Sequence, residues 1–317
     1  MTLRDHGVDE VVDIAATAGL AGIEWGADRH VRPGDPAAAR TARDACARAG
    51  LRVCSYGSYF RAGVHEPDRF AAVLDSARRL GAPRIRIWAG AVGSGEATAD
   101  ERAVVVRTTR AIAGRAADAG ITLAFEYHGG TLADDADSTL ALLDEIGHGA
   151  VGTYWQPPVG VPDDAALDGL RRLMARVVAV HVFSWWPGDH RRSLPARGTL
   201  WRPAFRLLRD TGRDVDALLE FVPDDDAASI GPEAAALAEL IAAGGSPVTP
   251  IASAVGGEQA LDADDDRDDA EDGEQQGHAR RRAALVLPRR PASGQAVPQQ
   301  GDADADPDQL EVEQAGP

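Results

Sequence analysis

Residues 97–128 read ATADERAVVVRTTRAIAGRAADAGITLAFEYH, and this stretch decides the fold. Its first part, 97–120, has the composition and apolar spacing of a helix and halts at Gly120, a residue suited to the C′ position. Its second part, ITLAFEYH at 121–128, is a short apolar run that turns polar only at Glu126 and His128. A helix, a glycine stop and a short buried strand form one repeating unit.

The unit recurs in both directions. Helical stretches lie at 8–19, 35–50, 68–81, 137–146 and 231–245. Asp35 and Asp137 are placed as N-caps, and Gly19, Gly50 and Gly81 join Gly120 as stops. Strands are predicted at Gly22–Trp25, Leu51–Tyr56, Arg84–Ala89, Ile121–His128, Val151–Gln156, Val177–Phe183 and Ala217–Val222. Continuous apolar strands alternating with helices imply a parallel sheet covered on both faces. This many units in series point to an α/β (β/α)8 barrel of the TIM type.

Seven strands are legible, not eight. The chain opens on TLRDHGVDEVV, which reads as the loop and helix after a first strand. Three explanations compete: a start codon assigned too late, an open barrel, or another segment in the gap. The first is the expectation, because an open barrel exposes strand edges. The barrel is assigned to 1–243. Residues 244–317, with runs such as LDADDDRDDAEDGEQQG and HARRRAALVLPRRP, are expected to be a disordered low-complexity tail.

Composition removes several function classes. The net charge is −17, of which the 16 acids and 6 arginines of residues 258–317 contribute −10. Such a chain is a poor partner for nucleic-acid phosphates. No apolar run reaches the roughly 20 residues that span a bilayer, and no secretion signal opens the chain. Cys46 and Cys54 make no disulfide framework, so a cytoplasmic location is the default expectation. Lysine is absent, which excludes Schiff-base, pyridoxal-phosphate and P-loop chemistry. Oligomeric state stays open, with a homodimer through barrel helices as one expectation.

Four polar residues end four successive apolar runs: Glu126, Gln156, His181 in VVAVHVF and Glu220 in ALLEFV. Carboxylates in apolar strands are costly unless paired or ligating. At strand C-termini they face the active-site end of a barrel. Side chains alternate along a strand, so Glu126 pairs with His128, Tyr154 with Gln156, His181 with Phe183, and Arg86 with Trp88. Oxygen ligands with one imidazole suit Mn²⁺, Mg²⁺ or Co²⁺, and admit Zn²⁺.

The spacing Glu126, Gln156, His181, Glu220 resembles the xylose isomerase-like barrels, in their sugar phosphate isomerase/epimerase branch. GIEWG at 22–26, LGAPRIRIWAG and LEFV resemble it too, and the likeness covers roughly residues 3–243. The resemblance implies Glu, Asp, His and Glu as ligands to one divalent ion, at the ends of strands five to eight. It also implies a first strand just upstream of TLRDHGVDEVV. Gln156 stands where the pattern has Asp, which removes one negative charge and weakens the expected metal binding.

The implied chemistry is proton transfer beside a carbonyl of a small sugar, polyol or sugar phosphate, through an enediolate. Glu126 and Glu220 are the candidate acid–base pair. Glu24, His30, Tyr56, Arg86, Trp88, His128 and Trp185 are candidate substrate contacts; Glu24 is equally suited to a salt bridge with Arg86, and balancing the pocket acids is the preferred reading of Arg86. The alternatives are an inosose-type dehydratase and a non-catalytic sugar-binding barrel. The related abasic-site endonucleases need a histidine-rich zinc cluster and a basic surface, and this chain has neither.

Overall fold

The computed structural model describes residues 2–244 and 249–253. Among these residues the α-helices are α1 (Val8–Thr17), α2 (Pro36–Arg48), α3 (Phe70–Leu80), α4 (Ala99–Asp118), α5 (Ala136–Ile146), α6 (Asp163–Leu173), α7 (Gly198–Asp210) and α8 (Ile230–Gly244). The strands are β1 (Gly22–Gly26), β2 (Arg52–Ala62), β3 (Arg84–Ala89), β4 (Thr122–Phe125), β5 (Val151–Trp155), β6 (Val177–Val182), β7 (Ser184–Trp185), β8 (Arg191–Arg192), β9 (Asp216–Leu219) and β10 (Thr249–Ser253). All but β7 and β8 close into one barrel, in the order β1-β10-β9-β6-β5-β4-β3-β2, with every pair parallel. β7 and β8 form an antiparallel hairpin in the connection after β6.

The expected gap is filled. β10 lies between β9 and β1, pairing Thr249 with Asp216 on one side and Ile23 with Ala252 on the other. Of the three explanations, another segment takes the slot. The barrel therefore runs past the expected boundary at 243, since α8 ends at Gly244 and β10 follows. The reason it escaped notice is chemical. TPIAS is five residues long, holds a proline that cannot donate to a ladder, and sits among Gly and Ser. The acidic and basic-apolar runs beyond it lie outside the described residues.

Caps set the helix starts. Thr98 accepts from the backbone N–H of Glu101 at 3.2 Å, and the Glu101 carboxylate accepts from Thr98 N–H at 2.8 Å, a capping box that launches α4. Asp35 caps α2 as expected, accepting from Ala37 and Ala38. Asp137, expected to cap α5, lies inside its first turn; Asp135 is the cap, accepting from Ser138 N–H at 2.8 Å. Both aspartates suit a helix start, so composition alone does not choose between them. Gly120 follows α4 with φ +70°, a conformation that lets the chain reverse into β4.

Alternation builds two cores. Ile23, Trp25, Ile85, Ile87, Leu123, Phe125, Trp155, Val180 and Val182 join the large cluster that includes the helix residues. Cys54, Ala124, Tyr154, Ala179, Leu218 and Ile251 form a separate small cluster inside the barrel. Below it Asp216 accepts from Arg52 and Arg84, each at 3.2 Å. Above it the inward positions two residues further along β4, β5, β6 and β9 are Glu126, Gln156, His181 and Glu220.

Candidate active site

The four residues that closed the apolar runs come together. Around His181 Nδ1 stand Gln156 Oε1 at 2.8 Å, Glu220 Oε2 at 3.4 Å and Glu126 Oε1 at 3.9 Å. His181 is fully buried, and Glu126 and Glu220 are almost so. Each comes from a different strand end, so the cluster exists only in the closed barrel.

Glu24 has a role other than substrate contact. Its Oε2 accepts from Ser55 Oγ at 2.5 Å and Tyr154 OH at 2.7 Å. Its Oε1 lies 3.5 Å from His181 Nε2 and 3.9 Å from Arg86 Nε. As it stands, Nδ1–H donates to Gln156 Oε1; the carboxylate behind Nε2 favours a proton there whenever Nδ1 gives up its own to ligate an ion. Burial pushes the Glu24 carboxyl up, but Arg86, His181 and Ser55 overcome it and bring the pKa down to about 2.

Arg86 is also fully buried, and its Nη1 donates to Glu126 Oε2. Burial opposes its charge, yet the surrounding Glu126, Glu24 and Glu220 keep its pKa above the ordinary value. Burial likewise opposes the charge on His181, while Glu220 and Glu24 raise its pKa. The Glu220 carboxyl is pushed up by burial, against the pull of His181.

Above the cluster runs an aromatic wall. Trp88 and His128 face each other at 4.8 Å, and the Arg61 guanidinium lies 4.3 Å from the Trp88 ring centre. Opposed rings of Phe183, Trp185 and Phe221 form a second patch, with Trp185 and Phe221 at 4.5 Å. Arg191 lies over Phe221 at 5.2 Å and pairs with Asp225 at 2.5 Å. Phe221 follows Glu220 with φ +49°, a left-handed conformation unusual for a bulky residue. Strain of this kind, next to a buried carboxylate, is typical of functional sites.

Two expected contacts fall elsewhere. Tyr56 turns outward and donates to Val31 O at 2.6 Å. His30 is held in a loop, its Nε2 3.0 Å from His6 O and its ring edge-on to Trp25. The placement of Tyr56 has a specific cause. The β1–β2 register slips between Val53 and Ser55, a bulge that flips the side chains beyond it. Ser55 thereby meets Glu24, and half-buried Tyr59 comes under the influence of Arg86 and Glu126. Strict alternation conceals both; Tyr154 was legible as the residue sharing a face with Gln156.

A divalent ion fits the donor set on two observations, although among the described residues no three His, Cys, Asp or Glu side chains form a ready ligand shell. Both Glu220 oxygens are buried without a hydrogen-bond partner. A buried carboxylate without a hydrogen bond is costly, and a divalent ion would satisfy it. Second, three buried carboxyl groups, Glu24, Glu126 and Glu220, face one guanidinium, Arg86, and one imidazole, His181.

No curated protein matches the chain in sequence. Among solved structures, a probable 3-DHS dehydratase from Bacillus anthracis superposes with a TM-score of 0.60 at 18% identity, covering 72% of this chain and 92% of that one. The 3-keto-D-glucoside 4-epimerase of E. coli gives 0.58 at 14%, covering 74% and 94%. A xylose isomerase-like barrel protein from Mycobacterium smegmatis in complex with magnesium gives 0.56 at 17%, covering 76% and 91%. At these identities the likeness is one of fold. A family model matches residues 12–246, and by it the chain belongs to the xylose isomerase-like TIM barrel family.

Proposed function

We propose that the chain is a metal-dependent isomerase or epimerase of a small sugar, polyol or sugar phosphate, working by proton transfer beside a carbonyl through an enediolate. The observation that carries this reading is the convergence of Glu126, Gln156 and Glu220 oxygens on His181 Nδ1, with neither Glu220 oxygen hydrogen-bonded. Those four residues would hold the ion, which when bound supplies Lewis-acid polarisation of the substrate carbonyl.

The remaining work falls to the chain. Glu126 and Glu220, on separate strands, take and return the proton at the carbon beside the carbonyl. Burial pushes the Glu220 carboxyl up, a direction that favours taking a proton. Glu24 would hold the Nε2–H of His181 when Nδ1 ligates the ion, and is itself held by Ser55 and Tyr154. Trp88, Trp185 and Phe221 present apolar faces to substrate C–H groups, and His128 stands beside Trp88 as a donor to a hydroxyl.

The test is solvent exchange. Purified protein with Mn²⁺ is incubated with a panel of ketoses, aldoses and inososes in D₂O and followed by proton NMR. Deuterium at the carbon beside the carbonyl, lost on chelation, supports the reading. Loss of water to a dione instead identifies a dehydratase. Tight binding of a sugar without exchange, with or without metal, defeats both and leaves a binding barrel.

A further inference from the structure

The unusual member of the site is Arg86. Among the described residues it is the arginine set in the buried cluster of Glu24, Glu126, His181 and Glu220, and it is fully buried. Its Nη1 is engaged by Glu126 Oε2, while Nε and Nη2 have no hydrogen-bond partner. The Nε–Glu24 approach, at 3.9 Å, is an ion pair without a hydrogen bond. So a fixed cation sits against one of the carboxylates that the proposed metal site needs. Opposite it, Gln156 supplies an uncharged oxygen to His181 Nδ1 at 2.8 Å.

These two features act in the same direction. A buried guanidinium neutralises part of the charge that would attract a divalent ion and repels the ion itself. An amide oxygen adds no attraction of its own. From these placements we infer that Arg86 is a resident cation that competes with the divalent ion for Glu126 and sets a weak, exchangeable metal affinity. Arg86 is then a positioning residue: it acts on the ion through Glu126. This inference rests on the proposed metal site and adds to it the residue that tunes it.

Arg86 also hydrogen-bonds Glu126, and a merely orienting role predicts the opposite sign. Losing a group that only orients a ligand lowers metal affinity by about 10–100-fold. Losing a competing charge raises it. The direction of change separates the two.

The experiment is isothermal titration of Mn²⁺ into the metal-stripped full chain, as wild type and as Arg86→Gln, with circular dichroism to check folding. Glutamine keeps an N–H for Glu126 and removes the charge. Because Arg86→Gln leaves a buried carboxylate unpaired, Glu126→Gln and Arg86→Gln/Glu126→Gln form a second comparison in which neither protein has that orphaned charge. Removing Arg86 is expected to tighten Mn²⁺ binding at least tenfold where Glu126 is present, and by less in the Glu126→Gln pair, where only direct repulsion by the guanidinium remains. Unchanged or weaker binding in Arg86→Gln, or in the double variant against Glu126→Gln where Arg86→Gln does not fold, overturns the inference and leaves the metal reading standing when wild type still titrates. No heat of binding and no Mn²⁺-induced rise in thermal midpoint for any of the four proteins at millimolar metal overturns both.

Discussion

The two ends of the barrel use the same residue types to opposite effect. At the floor, Asp216 of β9 is held by Arg84 of β3 and Arg52 of β2, one arginine to each carboxylate oxygen. At the mouth, two residues further along β3, Arg86 meets three carboxylates, and Glu220, four residues beyond Asp216, keeps no hydrogen-bond partner. The floor is a completed ion cluster with a surplus of arginine. The mouth is an incomplete one with a surplus of carboxylate. Completed clusters hold folds together, and incomplete ones bind something.

The largest expected effect breaks the mouth. Glu220→Gln removes a proton acceptor and a proposed ligand, so kcat should fall roughly a thousandfold. The same change removes a buried charge with no hydrogen-bond partner, so the thermal midpoint of metal-free protein should hold or rise. A variant that loses both activity and stability would make Glu220 a structural residue and erase the contrast with the floor.

The floor should respond the other way. Asp216→Asn leaves Arg84 largely buried and unpaired, which should lower unfolding free energy by about 3 kcal/mol in a denaturant titration. Turnover per folded molecule should stay near wild type. Arg52 is half exposed, and Arg52→Gln should lose well under about 1 kcal/mol. A floor variant that stays stable but loses kcat would mean that the two ends are coupled.

The sequence made the mouth legible because burial and charge conflict there. A carboxylate at the end of ITLAF or ALL needs an explanation, and four such positions at successive strand ends share one. The same logic located Arg86 next to the acids. The features that stayed hidden depend on backbone register. A one-residue slip in β2 exchanges Tyr56 for Tyr59, and no local pattern announces it. β10 stayed hidden because its proline and its neighbours read as a turn, while its slot in the barrel is a property of the whole closed sheet. The cap of α5 was displaced by two residues for the simpler reason that Asp135 and Asp137 are equally suited to it.

The register slip supplies a smaller test of the same contrast. Tyr59→Phe should reduce kcat/KM about tenfold, because it removes a hydroxyl that feels the charges of Arg86 and Glu126, with little change in stability. Tyr56→Phe loses a buried hydrogen bond to Val31 O and should lower stability by about 1 kcal/mol with kcat/KM unchanged. Exchange of these two outcomes would place Tyr56 at the mouth and reject the bulge.

The smallest effect concerns access. Cys54 lies in the barrel interior between the floor ion pairs and Tyr154, fully buried, and burial pushes its thiol pKa well up. Cys46 lies on α2 against the outer face of the barrel, also buried, with its thiol pKa raised by burial. Reactivity requires both thiolate and access, so neither thiol should react with an aromatic disulfide reagent at neutral pH until the chain unfolds. In a Cys46→Ser variant, the labelling rate of Cys54 then reports on the floor alone. Asp216→Asn should accelerate it by loosening the ion cluster beside it, whereas Glu220→Gln should leave it unchanged. Fast labelling in the unaltered barrel would mean that solvent reaches the interior from below, and the completed cluster would not be the seal that its pairing implies.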